Sequence, residues 1–285
     1  MSKSITEEEP ARLRADASKL KTIIGSVQNL GVQEITLQLL ENKVLLRAMD
    51  PGEVLMHAAR IEGSFFEEYD RGSYDKIGAE VSSLVKTLGK TSGVVTIDYG
   101  MGSGGTRQLS ISSETDTVRL AGINPEYVDS GVDSVPSTDF PAVGTIDTGE
   151  IEKFTSKAFG IIDSSDCTIR HRGHGIDLYA EKDNSDVYQR LESPTYEPIH
   201  FKKSNISQRL PHQDQLDEED VVESVFSMEF LDSIPFETDG AEMSMGNDTI
   251  IRFVYTMYDG VECSWIMSPR IPGESDRRKI PEEVY

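Results

Sequence analysis

The chain has 285 residues, of which 37% are hydrophobic, and a formal net charge of −22 at pH 7. This length can bury one large core or two ordinary ones. The sequence contains no apolar run that could span a membrane and no secretory signal, and its two cysteines, Cys167 and Cys263, are far apart in the chain. A soluble, intracellular protein without a disulfide framework is therefore expected. The acidic excess argues against general affinity for nucleic acid, although a local basic face and adaptation to high salt are both compatible with it.

The first half of the sequence alternates strands with two amphipathic helices. A strand from Ala11 leads into a helix whose apolar residues recur at helical spacing: Leu20, Ile23, Ile24, Val27 and Leu30. A second helix is predicted at 81–88. Strands are predicted at 35–40, 44–48, 54–61, 65–69, 94–99, 107–112 and 117–123. The glycine-rich run at 100–105 is followed by a strand and not by a helix, which indicates a turn and not a phosphate-binding loop.

The same order of elements returns after a polar segment. A strand at 142–146 precedes a helix from Thr148, with Ile151, Phe154, Ala158 and Ile161 predicted on one face. Strands follow at 167–171, 175–180 and 187–191, then a short helix at 222–232 and strands at 241–245, 249–257 and 261–267. Between them, residues 192–223 combine prolines with Lys202-Lys203 and an acidic run, and we expect one strand and a mobile loop there.

The repeated order predicts an α+β protein of two similar domains, each made of two helix-plus-antiparallel-meander units. The predicted organisation is an N-terminal domain at 11–123, a connector at 124–140 and a C-terminal domain at 141–272. A disordered tail is expected at 1–10 and a second tail at 273–285.

Several segments, in order along the chain, resemble the proliferating cell nuclear antigen family of DNA sliding clamps. The residues that carry the resemblance are Arg47-Ala48-Met49-Asp50-Pro51 followed by Val54, then Val135-Pro136-Ser137-Thr138-Asp139-Phe140, Phe226-Ser227-Met228-Glu229-Phe230-Leu231, Phe253-Val254-Tyr255 and Ser264-Trp265-Ile266-Met267-Ser268-Pro269-Arg270-Ile271. Each motif is weak by itself, but their order and spacing cover about 11–272. The resemblance implies a ring of three identical subunits whose helices line a hole around duplex DNA.

The resemblance also implies which side chains meet DNA. On the helix faces opposite the apolar stripes, the expected phosphate-facing residues are Lys19, Lys21, Lys86, Lys90, Lys153 and Lys157. Taken without the resemblance, such lysines are more often ordinary solvated residues of an amphipathic helix. The fourth helix departs from the family pattern, because it carries Glu229 and Asp232 where basic residues are common.

A client-binding pocket beneath the connector is the second implied site. By position it comprises Met49, Val54, Val135, Pro136, Ser227, Ile250, Ile266, Met267, Ser268 and Pro269. An ordinary core is the alternative, and it is favoured for Ile266 taken alone. Val135 and Pro136 are harder to explain as core, because they lie on the polar connector. Ile250 and Ile266 differ from the proline and tyrosine common in the family. Clients would be a DNA polymerase, the clamp loader and other proteins that carry a short glutamine-and-aromatic docking peptide.

Subunits are expected to join through edge strands. Residues 117–123 of one subunit would pair with about 186–191 of the next, which would remove the open edges of both sheets. The expected interface residues are Val118, Leu120, Val187 and Leu191.

The function implied by the resemblance is that of a DNA polymerase processivity factor without a catalytic centre, metal or cofactor, cytoplasmic and associated with replicating DNA. Two alternatives stay open. His171 and His174, near Asp166 and Cys167, are the best candidates for an enzyme or metal site, but their spacing on a strand and turn suits ligation poorly. A clamp-like subunit of a mixed ring, or a competitor for clients that does not encircle DNA, is the other alternative.

Overall fold

The computed structural model describes residues 8–102, 104–128, 132, 134–136, 138, 140, 142–172, 175–191 and 222–270. They fall into two compact units. The first lies within Met1–Val135 and Thr256–Cys263, and the second lies within Pro136–Tyr255 and Ser264–Tyr285. The predicted loop at 192–223 lies outside the described residues except for its last two positions, and the predicted C-terminal tail lies outside them entirely.

The chain repeats one pattern four times: a strand, a helix and three further strands. The first repeat is β1 (Ala11–Asp16), α1 (Ala17–Gly25), β2 (Glu34–Leu39), β3 (Lys43–Met49) and β4 (Leu55–Glu62), followed by the short β5 (Glu68–Asp70). The second is β6 (Lys76–Glu80), α2 (Val81–Leu88), β7 (Val94–Met101), β8 (Arg107–Ser112) and β9 (Thr117–Ala121). The third is β10 (Ala142–Asp147), α3 (Thr148–Gly160), β11 (Asp166–Arg172), β12 (Gly175–Lys182) and β13 (Ser185–Leu191). The fourth is β14 (Val222–Ser227), α4 (Met228–Asp232), β15 (Gly240–Met245), β16 (Ile251–Tyr258) and β17 (Val261–Met267).

Neighbouring repeats exchange their opening strands. In the first unit β1 pairs with β7 of the second repeat, while β6 pairs with β2 of the first. In the second unit β10 pairs with β15 of the fourth repeat, and β14 pairs with β11 of the third. All four pairings are antiparallel. The exchange joins two repeats into one folded unit, because neither repeat can complete its own sheet.

Carboxylates at the ends of the opening strands start three of the helices. Asp16 accepts hydrogen bonds from the backbone N–H groups of Ser18 and Lys19, at 2.9 and 3.1 Å. Glu80 caps α2 and Asp147 caps α3 in the same way. Such caps satisfy amide donors that have no partner within the helix. The apolar stripe of each helix is buried, and α1 packs against α2 as α3 packs against α4.

The structure corrects the prediction for the opening strands of the even-numbered repeats. Residues 222–227 form β14 and not the first turn of a helix, and its alternate residues Val222, Ser224 and Phe226 are buried. Apolar residues at 222, 225 and 226 imitate helical spacing, but pairing with β11 decides the conformation. β6 was not predicted, because its sequence KIGAE is poor in β-branched residues. Gly78 is required there, since an added Cβ would lie 2.5 Å from the Ile123 carbonyl oxygen.

Smaller corrections concern element ends. Ile161 does not lie on the buried face of α3: the helix ends at Gly160 and Ile161 is 76% exposed. The strand predicted at 65–69 is reduced to β5, which pairs with β1. Residues 8–10 of the predicted disordered tail pack on the first unit, where the Tyr74 hydroxyl donates to the Glu8 carboxylate at 2.7 Å and Arg107 forms an ion pair with it at 3.0 Å.

Among the described residues, no helix is long and apolar enough to cross a membrane.

Candidate functional site

Lysines form the charged surface of the two helices in the first unit. Lys19, Lys21 and Lys86 are exposed on α1 and α2, and Lys90 is exposed just beyond the end of α2. The aliphatic stem of Lys21 reaches the end of α2. A Cβ atom added at Gly89, the residue after α2, would lie 3.4 Å from the Cε atom of Lys21. The Nζ atom of Lys19 lies 5.5 Å from the centre of the Tyr258 ring, a cation–π distance. The lysines of α1 and α2 therefore share one surface.

The carboxylates next to these two helices, Asp16 and Glu80, are the N-cap residues of α1 and α2. Hydrogen bonds from the Ser18 hydroxyl and from the Lys19 amide lower the pKa of Asp16, and hydrogen bonds from Ser82 and Ser83 lower the pKa of Glu80. Both carboxylates are therefore ionised at neutral pH and satisfy the helix N-termini. The sequences of α1 and α2 themselves contain no acidic residue.

The helices of the second unit are different. Lys153 and Lys157 are exposed on α3, but Lys153 Nζ lies 2.5 Å from Glu150 Oε1, and this contact raises the pKa of Lys153. Glu150 is itself held by Gln189, whose Nε2 donates to Oε2 at 2.6 Å. The remaining exposed charges on these helices are Glu152 on α3 and Glu229 and Asp232 on α4. The six lysines predicted to face DNA are thus all exposed, but in two different electrostatic settings.

Met49 and Val54 of the predicted client pocket flank a turn that is organised by Asp50. This aspartate is 7% exposed, and its Oδ1 atom accepts hydrogen bonds from the amides of Val54 and Leu55, at 2.7 and 2.6 Å, while Oδ2 accepts one from Gly52 at 2.8 Å. Met49 and Val54 are half-buried at the ends of the turn. A client could therefore reach both side chains.

The other predicted pocket residues divide by exposure. Pro136 is exposed, and Val135, Ile250, Ser268 and Pro269 are half-buried. Ser227 and Ile266 are 4% exposed, and Met267 is fully buried. Those three therefore pack inside the chain and offer a client little or no surface.

The strands predicted to join subunits are both at sheet edges. β9 lies at one edge of the sheet β5-β1-β7-β8-β9, and β13 lies at one edge of the sheet β13-β12-β11-β14. The side chains of Val118 and Leu120 share the sheet face of their cross-strand partners Ile111 and Leu109, which are buried, yet Val118 is 40% exposed. An open strand edge with exposed apolar residues is a surface on which another strand can pair. Val187 on β13 is half-buried, whereas Leu191 is only 6% exposed and lies in the core of its own chain.

The backbone of β9 shows which amides are open. The Gly122 amide donates to the Arg107 carbonyl at 2.9 Å, and Leu120 is paired in register with Leu109. Hydrogen-bonded pairs alternate in an antiparallel ladder, so the Leu120 amide points inward, towards β8. The Arg119 and Ala121 amides point outward, to the open edge.

Of the metal-site candidates, Cys167 and His171 are both fully buried in β11, and His174 lies outside the described residues. Burial raises the pKa of the Cys167 thiol, and burial also lowers the pKa of His171 to about 4. Where the structure describes side chains, it brings together no group of three His, Cys, Asp or Glu residues that could hold a metal ion.

Sequence reasoning missed two exposed apolar residues at the end of α3. Phe159 is 41% exposed and Ile161 is 76% exposed, and α3 packs beside the edge strand β13. The sequence did contain one sign of this exposed apolar surface, because Phe159 lies off the apolar stripe of its own helix.

The chain is similar in sequence to curated proteins over most of its length. No family model matches the chain. Among curated proteins, it is 25% identical to a protein of Haloarcula marismortui over 270 residues, covering 90% of this chain and 97% of that protein. It is 20% identical to a protein of Thermococcus sibiricus and 21% identical to one of Pyrococcus horikoshii, each covering 90% of this chain and 96% of the relative. All three are named DNA polymerase sliding clamp.

Solved structures share the fold. The PCNA of A. fulgidus, solved with the C-terminal region of FEN-1 bound, superposes with a TM-score of 0.73 at 20% identity, over 93% of this chain and all of that one. The PCNA of Thermococcus kodakaraensis superposes with a TM-score of 0.72 at 16% identity, over 91% of this chain and all of that one.

Proposed function

We infer that this chain is a member of the proliferating cell nuclear antigen family of DNA sliding clamps and acts as a DNA polymerase processivity factor. One observation carries the inference: the chain aligns with proteins named DNA polymerase sliding clamp over nearly their whole length. The fourfold repeat with exchanged opening strands agrees with it. Such a protein works by tethering. Its working surfaces are those that meet DNA and clients, and no catalytic centre is invoked.

We propose that the chain closes into a homotrimeric ring through its open edges. On the first unit, β9 offers outward amides together with the exposed side chain of Val118. On the second unit, β13 offers an edge beside the apolar end of α3, where Phe159 and Ile161 are exposed. Pairing β9 of one copy with β13 of the next would satisfy both edges and cover these apolar groups. Val118, Leu120, Val187, Phe159 and Ile161 are the proposed contacts.

The lysines of the helices are the proposed DNA-facing set. Attraction between lysines and phosphates does not depend on base sequence, and it is weak enough to permit sliding. Base-edge hydrogen bonds would fix the ring at one position. A surface of lysines therefore fits the function.

Client docking is proposed at the accessible members of the predicted pocket. These are Met49, Val54, Val135, Pro136, Ile250, Ser268 and Pro269, which are exposed or half-buried. Apolar side chains that leave water on binding would supply most of the affinity, at about 1.5 to 3 kcal/mol for each large side chain fully buried. We therefore expect a short glutamine-and-aromatic peptide to bind there.

A subunit of a mixed ring, or a competitor for clients, is the second candidate, and the acidic surface of α3 and α4 favours it. A processivity assay separates the candidates. We expect the purified chain to scatter light as a trimer and, with a clamp loader, to lengthen the products of a peptide-bearing polymerase on primed circular DNA. A monomer that inhibits such a polymerase in competition with another clamp would reject the processivity function for this chain.

A further inference from the structure

We propose that the phosphate-binding surface of this clamp lies on the first unit alone, on α1 and α2, and that the helices of the second unit contribute no net attraction for DNA. This inference rests on the proposed function and deepens it. It concerns which half of each subunit holds the double helix.

The charges of the two helix pairs carry the inference. In the first unit, α1, α2 and their caps carry three lysines, with Lys90 just beyond α2, and two carboxylates, Asp16 and Glu80, both of which are bound to helix-terminal amides. In the second unit, two lysines on α3 accompany five carboxylates on α3, α4 and the α3 cap: Asp147, Glu150, Glu152, Glu229 and Asp232. Phosphates would be attracted to the first surface and repelled by the second.

The individual contacts sharpen the difference. Lys153 is paired with Glu150 at 2.5 Å, so a phosphate must compete with a carboxylate that is already in place. Lys21 and Lys86 have no carboxylate on their own helices, and the Lys21 stem lies against Gly89 at the end of α2. This contact brings the lysines of both helices onto one surface. Lys21 and Lys86 are therefore the central residues of the proposed phosphate-binding surface.

Two other lysines contribute less. Lys19 is directed towards the Tyr258 ring, 5.5 Å away. Lys90 lines a surface cavity of about 460 Å³ together with Arg14 and three carboxylates, Glu67, Glu114 and Asp116. The acidic neighbours of Lys90 reduce its attraction for a phosphate, so we assign it a minor role.

Two matched double variants test the inference: Lys21→Ala with Lys86→Ala, and Lys153→Ala with Lys157→Ala. Each removes two exposed lysines and changes the net charge equally, so a long-range effect of charge would be the same in both. The measurement is the anisotropy of a fluorescent duplex DNA over a series of KCl concentrations. Light scattering first confirms that both variants keep the oligomeric state of the wild type.

We expect the first variant to reduce the slope of log K against log salt by up to about 1.8, since each phosphate contact contributes about 0.9. The second variant should change the slope by less than half of that amount. A third variant, Glu152→Gln with Asp232→Asn, should bind DNA more tightly than the wild type, because it removes repulsion without adding a contact.

Equal losses of slope in the two lysine variants would overturn the inference and leave the processivity function intact. An unchanged slope in both would overturn it as well, because neither helix pair would then meet DNA. Primer extension on circular DNA is measured in parallel, so that failure of the clamp function is recognised separately from failure of the one-sided surface.

Discussion

Replacing Asp50 with alanine should destabilise the protein more than any change at an exposed aspartate. The Asp50 carboxylate holds the turn between β3 and β4 through the amides of Gly52, Val54 and Leu55, at 2.6 to 2.8 Å. Leu55 is fully buried, so its amide has no access to water once the carboxylate is gone. The amides of Gly52 and Val54 lie nearer the surface, and water can replace their partner.

The magnitude follows from these differences in exposure. Leaving a buried donor unsatisfied costs about 1 to 3 kcal/mol, and losing each of the two other hydrogen bonds costs about 1 kcal/mol net. We therefore expect Asp50→Ala to lower the free energy of unfolding by about 3 to 5 kcal/mol. Asp50→Asn should cost less, because its carbonyl oxygen can still accept from Val54 and Leu55.

Urea unfolding followed by circular dichroism measures the effect. All variants are compared at one protein concentration, since assembly contributes to apparent stability. Asp75→Ala is the matched control: its side chain is 84% exposed and makes one ion pair with Arg71 on the surface, so a change within about 0.5 kcal/mol is expected. A loss below about 1 kcal/mol for Asp50→Ala, with an unchanged m value, would refute this account of the turn.

Three further outcomes are expected. Arg119→Pro removes an outward amide of β9 and leaves the hydrogen bonds to β8 in place, so light scattering should detect species smaller than a trimer. Arg119→Ala should stay assembled, and Leu120→Pro should also unfold the edge of the sheet. A trimeric Arg119→Pro variant would reject the proposed pairing. Met267→Asp places a carboxylate at a fully buried position and should lower the thermal midpoint of unfolding, so that any loss of client-peptide affinity in calorimetry follows from unfolding. A variant with an unchanged thermal midpoint that binds the peptide less tightly would contradict the assignment of Met267 to the core. Burial lowers the pKa of His171 to about 4, so the unfolded state takes up its proton at a higher pH than the folded state does. As the pH falls from about 6.5 to 4, the free energy of unfolding should therefore decrease by at most about 1.4 kcal/mol per pH unit. Denaturant midpoints of His171→Leu that show the same pH dependence would exclude this residue as the cause.

The fold class could be predicted from the sequence because its periodicities are strong. The stripe of α1 and the alternation of β3 follow from local sequence, since each must bury one face. The opening strands β6 and β14 could not be predicted. Gly78 and Ala79 carry little strand propensity, and 222–226 imitates a helix, so pairing with β2 and β11 decides both. Such pairing joins residues far apart in the chain, and local sequence does not encode it.

The candidate sites divide in the same way. The sequence by itself determined the identities and spacing of the lysines on the helices, because amphipathic periodicity places charged residues opposite a buried stripe. Only the tertiary structure decided that Lys153 is paired with Glu150 while Lys21 lies over the end of α2. It likewise decided that Met267 is core and that Ile161 is exposed. Burial and ion pairing depend on which elements meet in space, and an apolar or charged residue has the same letter in either setting.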